Sequence, residues 1–428
     1  MIPFFKTLLA SSAVLSFSTA ASADSLMDVY KHLHSNPETS NMEFETAKYL
    51  SKRLKDLGFE ITPEVGGTGV VALFKNGPGK TIMLRADMDA LPVKEDTGLS
   101  FASTVITTDM NGDQVPAMHA CGHDIHMTVA IGAAEELVSN KAKWSGTLMV
   151  ILQPAEEVGQ GAKNMLADGL FSRFPVPNYN IALHANSALQ SGKVGIVPGY
   201  ALANVDSVDI VVRGIGGHGA YPQTTKDPVV LASQIVVSLQ SIISREVSAQ
   251  DPAVLTVGSI HGGTKHNIIG EEVKLQLTLR SYTDEVREKL IASIRRMAEG
   301  LAKAYGLPDD KLPIVTVKDE FTPSSYNDPK FAEMAKVYMS DIIGEDNVVE
   351  LPPVMGGEDF GRFGKTKEEI PSLIYWLGAA SPKDVRAANR GGKPLPSLHS
   401  PTFAPDAKAA IPTGVKTMSG TILKLFDN

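Results

Sequence analysis

The chain has 428 residues, 43% hydrophobic and 21% charged, with a formal net charge of −8. That composition is globular, long enough for one large and one smaller domain, and free of like-charge or low-complexity runs that resist packing. The acidic balance, with no basic stripe interleaved with aromatics, argues against a nucleic-acid partner.

At the N-terminus MIPFFK supplies a short basic start, TLLASSAVLSFSTA an apolar stretch and Ala21-Ser22-Ala23 a small-residue cleavage signal. Residues 1–23 therefore read as a secretory signal peptide removed before Asp24, which implies a periplasmic or secreted protein. A membrane anchor is the rival reading, but the apolar part is short for a hydrocarbon core of about 30 Å. No later segment reads as long or apolar enough to span, so no membrane contact is expected after cleavage. Export gives Cys121, the single cysteine, a particular meaning: it must be buried, paired with another molecule or bound to something.

SLMDVYKHLHSNPETSNMEFETAKYLSKRLKDLG predicts a helical opening, after which short apolar runs alternate with helical patterns. That alternation predicts an α/β sheet with helices on its faces. KTIMLRADMDALP predicts a strand ending at Asp87 and Asp89, GTLMVILQPAEEVG one ending at Glu156 and Glu157, and YNIALHAN one ending at His184. Polar residues at C-terminal strand ends are where open α/β sheets place their sites. MHACGHDIH, residues 118–126, precedes a helical stretch and predicts the loop and first turn at the same rim. From residue 204 the order becomes strand, helix, strand, strand, helix, strand, a ferredoxin-like α+β unit inserted over residues 204–318. The α/β pattern resumes in 319–428, so the catalytic metal-binding domain is expected to comprise 24–203 and 319–428.

Taken singly, the polar clusters have ordinary readings as a buried thiol, a solvated turn and a core histidine. Together, Cys121, His123, Glu157, His184 and His399 are all metal-ligand types in strand ends or rim loops. Coordination also explains the lone thiol, since a thiolate is a strong ligand for zinc and similar ions. These are more ligands than one tetrahedral ion needs, so two ions about 3.5–4 Å apart, sharing a water or hydroxide, are expected. Of the adjacent glutamates, Glu157 is expected to bind metal and Glu156 to act as general base.

RADMDALP, MHACGHDIH, QPAEE, His184, GGHGAYPQTTKDP, MGGEDF and LHSPTF, in that order across the mature chain, resemble the amidohydrolase branch of the dinuclear metallopeptidase family. That branch includes aminoacylase, hippurate hydrolase and the plant auxin-conjugate hydrolases. The resemblance implies the same five ligands and Glu156 as base. It casts Asp87 and Asp89 as groups that orient ligands, and leaves His119, Asp124 and His126 flanking the ligand loop. His218 matches a histidine that reaches a neighbouring subunit's site and steadies the oxyanion. Asn267 and Arg280 match residues that contact the substrate carboxylate, although NIIG puts Gly270 where the family has proline. Gly356 and Gly357 suggest close approach to a ligand, and Glu358 or Asp359 is expected to hold His399 or the loop beside it. A homodimer through the inserted unit, acting as a lid, is also implied.

The expected function is metal-dependent hydrolysis of an N-acyl amino acid or similar small amide, with zinc or manganese, cobalt or nickel as the ions. A dipeptidase or carboxypeptidase with the same site is the alternative. A binding protein that captures metal or an acyl amino acid is a third reading, though capture has no use for Glu156.

Overall fold

A computed structural model describes residues 20–427; most of the expected signal peptide lies outside the described residues. The α/β class expected from the sequence is the one the chain adopts. An eight-stranded sheet runs in the order Glu60–Thr62, Val70–Asn76, Gly146–Gln153, Thr81–Asp87, Tyr179–Gln190, Ser372–Ala380, Val194–Ile196, Val348–Glu350. The four strands from Gly146–Gln153 to Ser372–Ala380 are mutually parallel, which aims their C-terminal ends at one rim. Thr81–Asp87 and Ser372–Ala380 are buried at every position, as expected of parallel strands covered on both faces. The helices Ala20–Ser35, His123–Ser139, Pro329–Ile343 and Ala407–Asp427 pack on one face. Gly161–Ala167, Leu170–Arg173 and Gly361–Gly364 lie on the other, around Met149, Ile151 and Phe363.

One strand differs from expectation: His184 does not end its strand, which runs on to Gln190. Its parallel neighbour also continues, pairing Trp376 with His184 and Gly378 with Asn186 before the register shifts, so the ladder has partners beyond the rim.

A second, separate sheet is antiparallel, in the order Ala253–Gly262, Glu272–Ser281, Asn204–Arg213, Ile314–Val317. Burial alternates strictly along Asn204–Arg213, because one face packs under helices Pro228–Ser241 and Asp284–Ala304 and the other does not. Those helices start at side-chain caps, Asp227 accepting from the Val229 N–H and Thr283 from the Val286 N–H. Reciprocal backbone hydrogen bonds between Val205 and Thr322, 2.8 and 3.0 Å, fasten the foot of this sheet beside the rim of the large one.

The reading that no segment after the leader is apolar enough to span is overturned by Pro228–Glu246, whose length and mean hydropathy of 1.3 suit a span. Leu231, Ile235 and Leu239 on one face are buried against the second sheet, while Val229, Val230 and Val237 on the other are 43%, 45% and 73% exposed. The covered face accounts for part of this hydropathy, and the three valines, which stand among exposed Ser233, Gln234 and Gln240, account for the rest.

Candidate metal centre

The site is assembled at the rim from loops that follow the parallel strands. Gly122 has a φ of 85° and precedes helix His123–Ser139, and a Cβ there would stand 3.0 Å from the Ala185 Cβ. This left-handed turn, which favours glycine, directs Cys121 and His123 into one cluster with His184. The Nδ1 of His123 lies 2.7 Å from the Asp89 carbonyl oxygen and that of His184 lies 2.8 Å from the Ala185 carbonyl oxygen. A nitrogen facing a carbonyl must carry the proton, so both rings present an Nε2 lone pair to the cluster. Glu157 and His399 complete the group: His399 Nε2 lies 3.2 Å from Cys121 Sγ and 3.5 Å from Glu157 Oε2.

The donor atoms of Cys121, His123 and His184 lie within 4.8 Å of one another, as do those of Cys121, Glu157 and His399, so the thiol belongs to both sets. The five ligand types expected from the sequence are thus brought together. His123 Nε2 and Glu157 Oε1 are buried without a hydrogen-bond partner, which is costly unless something else satisfies them. The surroundings call for positive charge at this point. Burial would lower the His123 pKa, yet Asp87, Asp89 and Glu157 outweigh it and raise it to about 10. Burial raises Glu157 to about 7, and burial with Glu157 and Glu156 nearby pushes the Cys121 thiol up. Orphaned lone pairs, a thiol among imidazoles and uncompensated carboxylates fit divalent ions.

The supporting groups are only partly those the sequence suggested. Asp89 accepts from the backbone N–H of Glu156 (3.1 Å) and of Glu157 (3.0 Å), and from Ser40 Oγ (2.6 Å). Asp87 is 2.6 Å from His126 Nδ1 and accepts from Arg85 Nη1 at 2.8 Å. His126 Nε2 takes the Ala185 N–H at 2.8 Å, so both nitrogens of this ring are committed to protein and it has no lone pair for a metal. Asp124 instead bonds His34, and burial lowers His119 to about 4, leaving it neutral.

Glu358 and Asp359 do not hold His399: they bind Arg85, Glu358 Oε1 at 2.8 Å and Asp359 Oδ1 at 3.3 Å, because a buried guanidinium attracts the nearest carboxylates. Arg85 and its partner Gln153 were missed in the sequence, where an arginine inside the apolar run TIMLRAD was the available signal. Also missed was the hairpin Ile106–Thr108 with Gln114–Pro116, which an Asn111-Gly112 turn between two short runs could have suggested.

A cavity of about 490 Å3 opens over the cluster, bounded by Glu156, Gly357 and Met110 on one side and by Val205, Ser207 and Arg280 of the second sheet on the other. Arg280 is half-buried, donates to Thr278 Oγ1 at 3.2 Å and pairs with no carboxylate among the described residues. His218 and Asn267 stand elsewhere, together on the ribbon Gly217–His218 with Ile268–Ile269, exposed and outside this cavity.

Residues 83–423 match the model of peptidase family M20/M25/M40. The chain belongs to this family. Thermostable carboxypeptidase 2 of Saccharolobus solfataricus is 36% identical to this M20 chain over 364 residues, covering 84% of it and 87% of the relative. N-acetyldiaminopimelate deacetylase of Lactobacillus acidophilus is 33% identical over 414 residues, covering 95% and 99%. The crystal structure of the Bacillus subtilis YXEP protein, described as a dinuclear metal-binding peptidase from the M20 family, superposes with a TM-score of 0.76 at 29% identity. It spans 95% of this chain and 99% of that one. The M20 chain described here is a metal-dependent hydrolase of amide or peptide bonds.

Proposed function

We propose that the enzyme hydrolyses the amide bond of N-acyl amino acids, with two divalent ions held by Cys121, His123, Glu157, His184 and His399. The observation that carries the substrate class is Arg280: a half-buried guanidinium without a carboxylate partner faces the same cavity as the ligand cluster. Such a cation suits a substrate that carries its own carboxylate a short distance from the bond to be cut. Bound ions supply Lewis acidity and lower the pKa of water towards about 7. Glu156 takes the proton from the attacking water and delivers it to the leaving nitrogen. Asp89 holds His123 through its carbonyl and the backbone of the two glutamates through its carboxylate, while Arg85 and His126 fix Asp87 beside them.

His218 enters this proposal through a second copy of the chain. Ala220 N–H donates to His218 Nδ1 at 3.0 Å, so Nε2 carries the proton and can donate to a developing oxyanion. The exposed Val229, Val230 and Val237 supply an apolar face for a homodimer. The 204–318 unit then acts as lid and dimerisation domain. Residues 1–23, read as a signal peptide, support a periplasmic or secreted mature chain, and N-terminal sequencing that begins at Asp24 is the expected result.

The test is to measure metal per chain and assay the same sample against N-acyl amino acids and unblocked dipeptides, with and without chelator. Chelator-sensitive cleavage favouring N-acyl amino acids, with about two ions per chain, is the expected outcome. A preference for dipeptides would move the assignment to the carboxypeptidase activity named for the Saccharolobus relative, and bound metal without turnover would move it to capture.

A further inference from the structure

The turn that presents the two glutamates has an unusual backbone. Ala155 has a φ of 49°, the left-handed region that a residue with a side chain rarely adopts, and Glu156 follows it directly. At Gly161, where the turn closes, a Cβ would lie 1.6 Å from the Pro154 carbonyl oxygen, so the close approach of the two segments leaves room only for glycine. Something must hold Ala155 in this conformation.

Three successive backbone N–H groups leave the turn towards buried carboxylates. Glu156 and Glu157 donate to the two oxygens of Asp89, while Ala155 donates to Glu43 Oε1 at 2.8 Å. Glu43 is fully buried and comes from the opening segment, 112 positions earlier in the chain. It also accepts from the Asn41 N–H at 2.9 Å and from Thr68 Oγ1 at 2.5 Å, and no cation pairs with it among the described residues. Although Glu43 stands at the N-cap of helix Phe44–Asp56, its side chain makes no capping hydrogen bond, so the helix start does not explain its burial. The same opening segment supplies Ser40, which donates to Asp89 at 2.6 Å.

We propose that Glu43 is a positioning residue for the hydrolysis: by accepting the Ala155 N–H it maintains the left-handed turn, and the turn sets where the Glu156 carboxylate stands. The inference rests on the reading of Glu156 as the base. What matters in Glu43 is the position of Oε1, since every one of its partners is a donor and none is a charge.

Two conservative variants separate position from charge. Glu43→Gln keeps an acceptor where Oε1 stands, and its amide can donate to the Thr68 hydroxyl, which is free to turn. Glu43→Asp keeps the charge but withdraws it by one methylene. The expected result is that E43Q has a kcat within about threefold of the wild type. E43D should lose about 10- to 100-fold in kcat, with KM and metal content unchanged, the scale a misplacement near 1 Å produces. Adding Ala155→Gly to E43D should recover part of that loss, because glycine adopts positive φ without support. A folded E43D with wild-type kcat, the reverse ranking of the two variants, or an E43D loss that follows metal loss and ignores Ala155→Gly would each overturn the proposal. The Glu156 reading is tested apart: near-wild-type turnover in Glu156→Gln removes it, whereas an inactive E156Q beside a fully active E43D removes only the role of Glu43.

Discussion

Glu156 and Glu157 are chain neighbours with different surroundings. Glu157 faces His399 and the Cys121 set, while the Glu156 carboxylate lies within 4.8 Å of those of Glu358 and Asp359. Burial raises the Glu156 pKa well above the usual range, and Glu358, Glu157 and Asp359 add to it. To take a proton from water the Glu156 carboxylate must be ionised, and divalent ions held beside it would oppose the effect of burial and of these neighbouring carboxylates. Glu156→Gln is expected to retain metal and lose about two to four orders of magnitude in turnover; metal analysis and kcat on one preparation check both halves. Behind the ligand loop, His34 lies between Asp124 (2.7 Å) and Glu95 (3.0 Å). Burial alone would lower its pKa, but these two hydrogen bonds outweigh it and raise the value from 6.5 to about 10. A folded-state pKa above the unfolded one stabilises fully below about pH 6.5 and ceases to do so as pH rises through about 10. Between those limits the unfolding temperature of the wild type should fall more steeply than that of His34→Gln. Equal slopes for the two would exclude a charged His34.

At the scale of elements, one arginine binds the strand Thr81–Asp87 to the loop carrying Glu358 and Asp359. Arg85 is fully buried and reaches Asp87, Glu358, Asp359 and Gln153 at once. Asp359 shows how finely this is balanced: burial raises it to about 7 even though Arg85 opposes the rise. Removing the guanidinium leaves several carboxylates buried without a cation, the situation in which a broken ion pair costs most. Arg85→Met should lower stability by about 3–5 kcal/mol at neutral pH, read from urea unfolding, with the deficit shrinking as acid protonates the stranded carboxylates. A deficit that does not change with pH would place the loss in packing.

For the whole molecule, the two large sheets bound the cavity over the ligand cluster, and Val229, Val230 and Val237 leave an apolar patch uncovered on the helix of the second sheet. Val237→Asp should convert a dimer to monomers and reduce turnover together, by gel filtration and assay, if His218 serves a second copy. Mixing His218→Ala with Glu156→Gln under conditions of subunit exchange should restore activity, because one of the two sites in a mixed dimer regains both groups. Exchange without recovery would make each chain self-sufficient.

Residue types, spacing and periodicity were enough to assign the α/β class and the runs that became the central parallel strands, and to single out five residues that the fold gathers into overlapping clusters. These are local or repetitive features: apolar runs mark buried strands, and a cysteine, histidines and carboxylates are recognisable wherever they stand. Tertiary structure alone decided what each polar group touches. It gave Glu358 and Asp359 to Arg85 rather than His399, committed both nitrogens of His126, carried the His184 strand on to Gln190, and placed Glu43 against Ala155. Those outcomes depend on which segments, often far apart in the chain, share a buried space, and a buried acceptor takes the donor that folding places nearest to it.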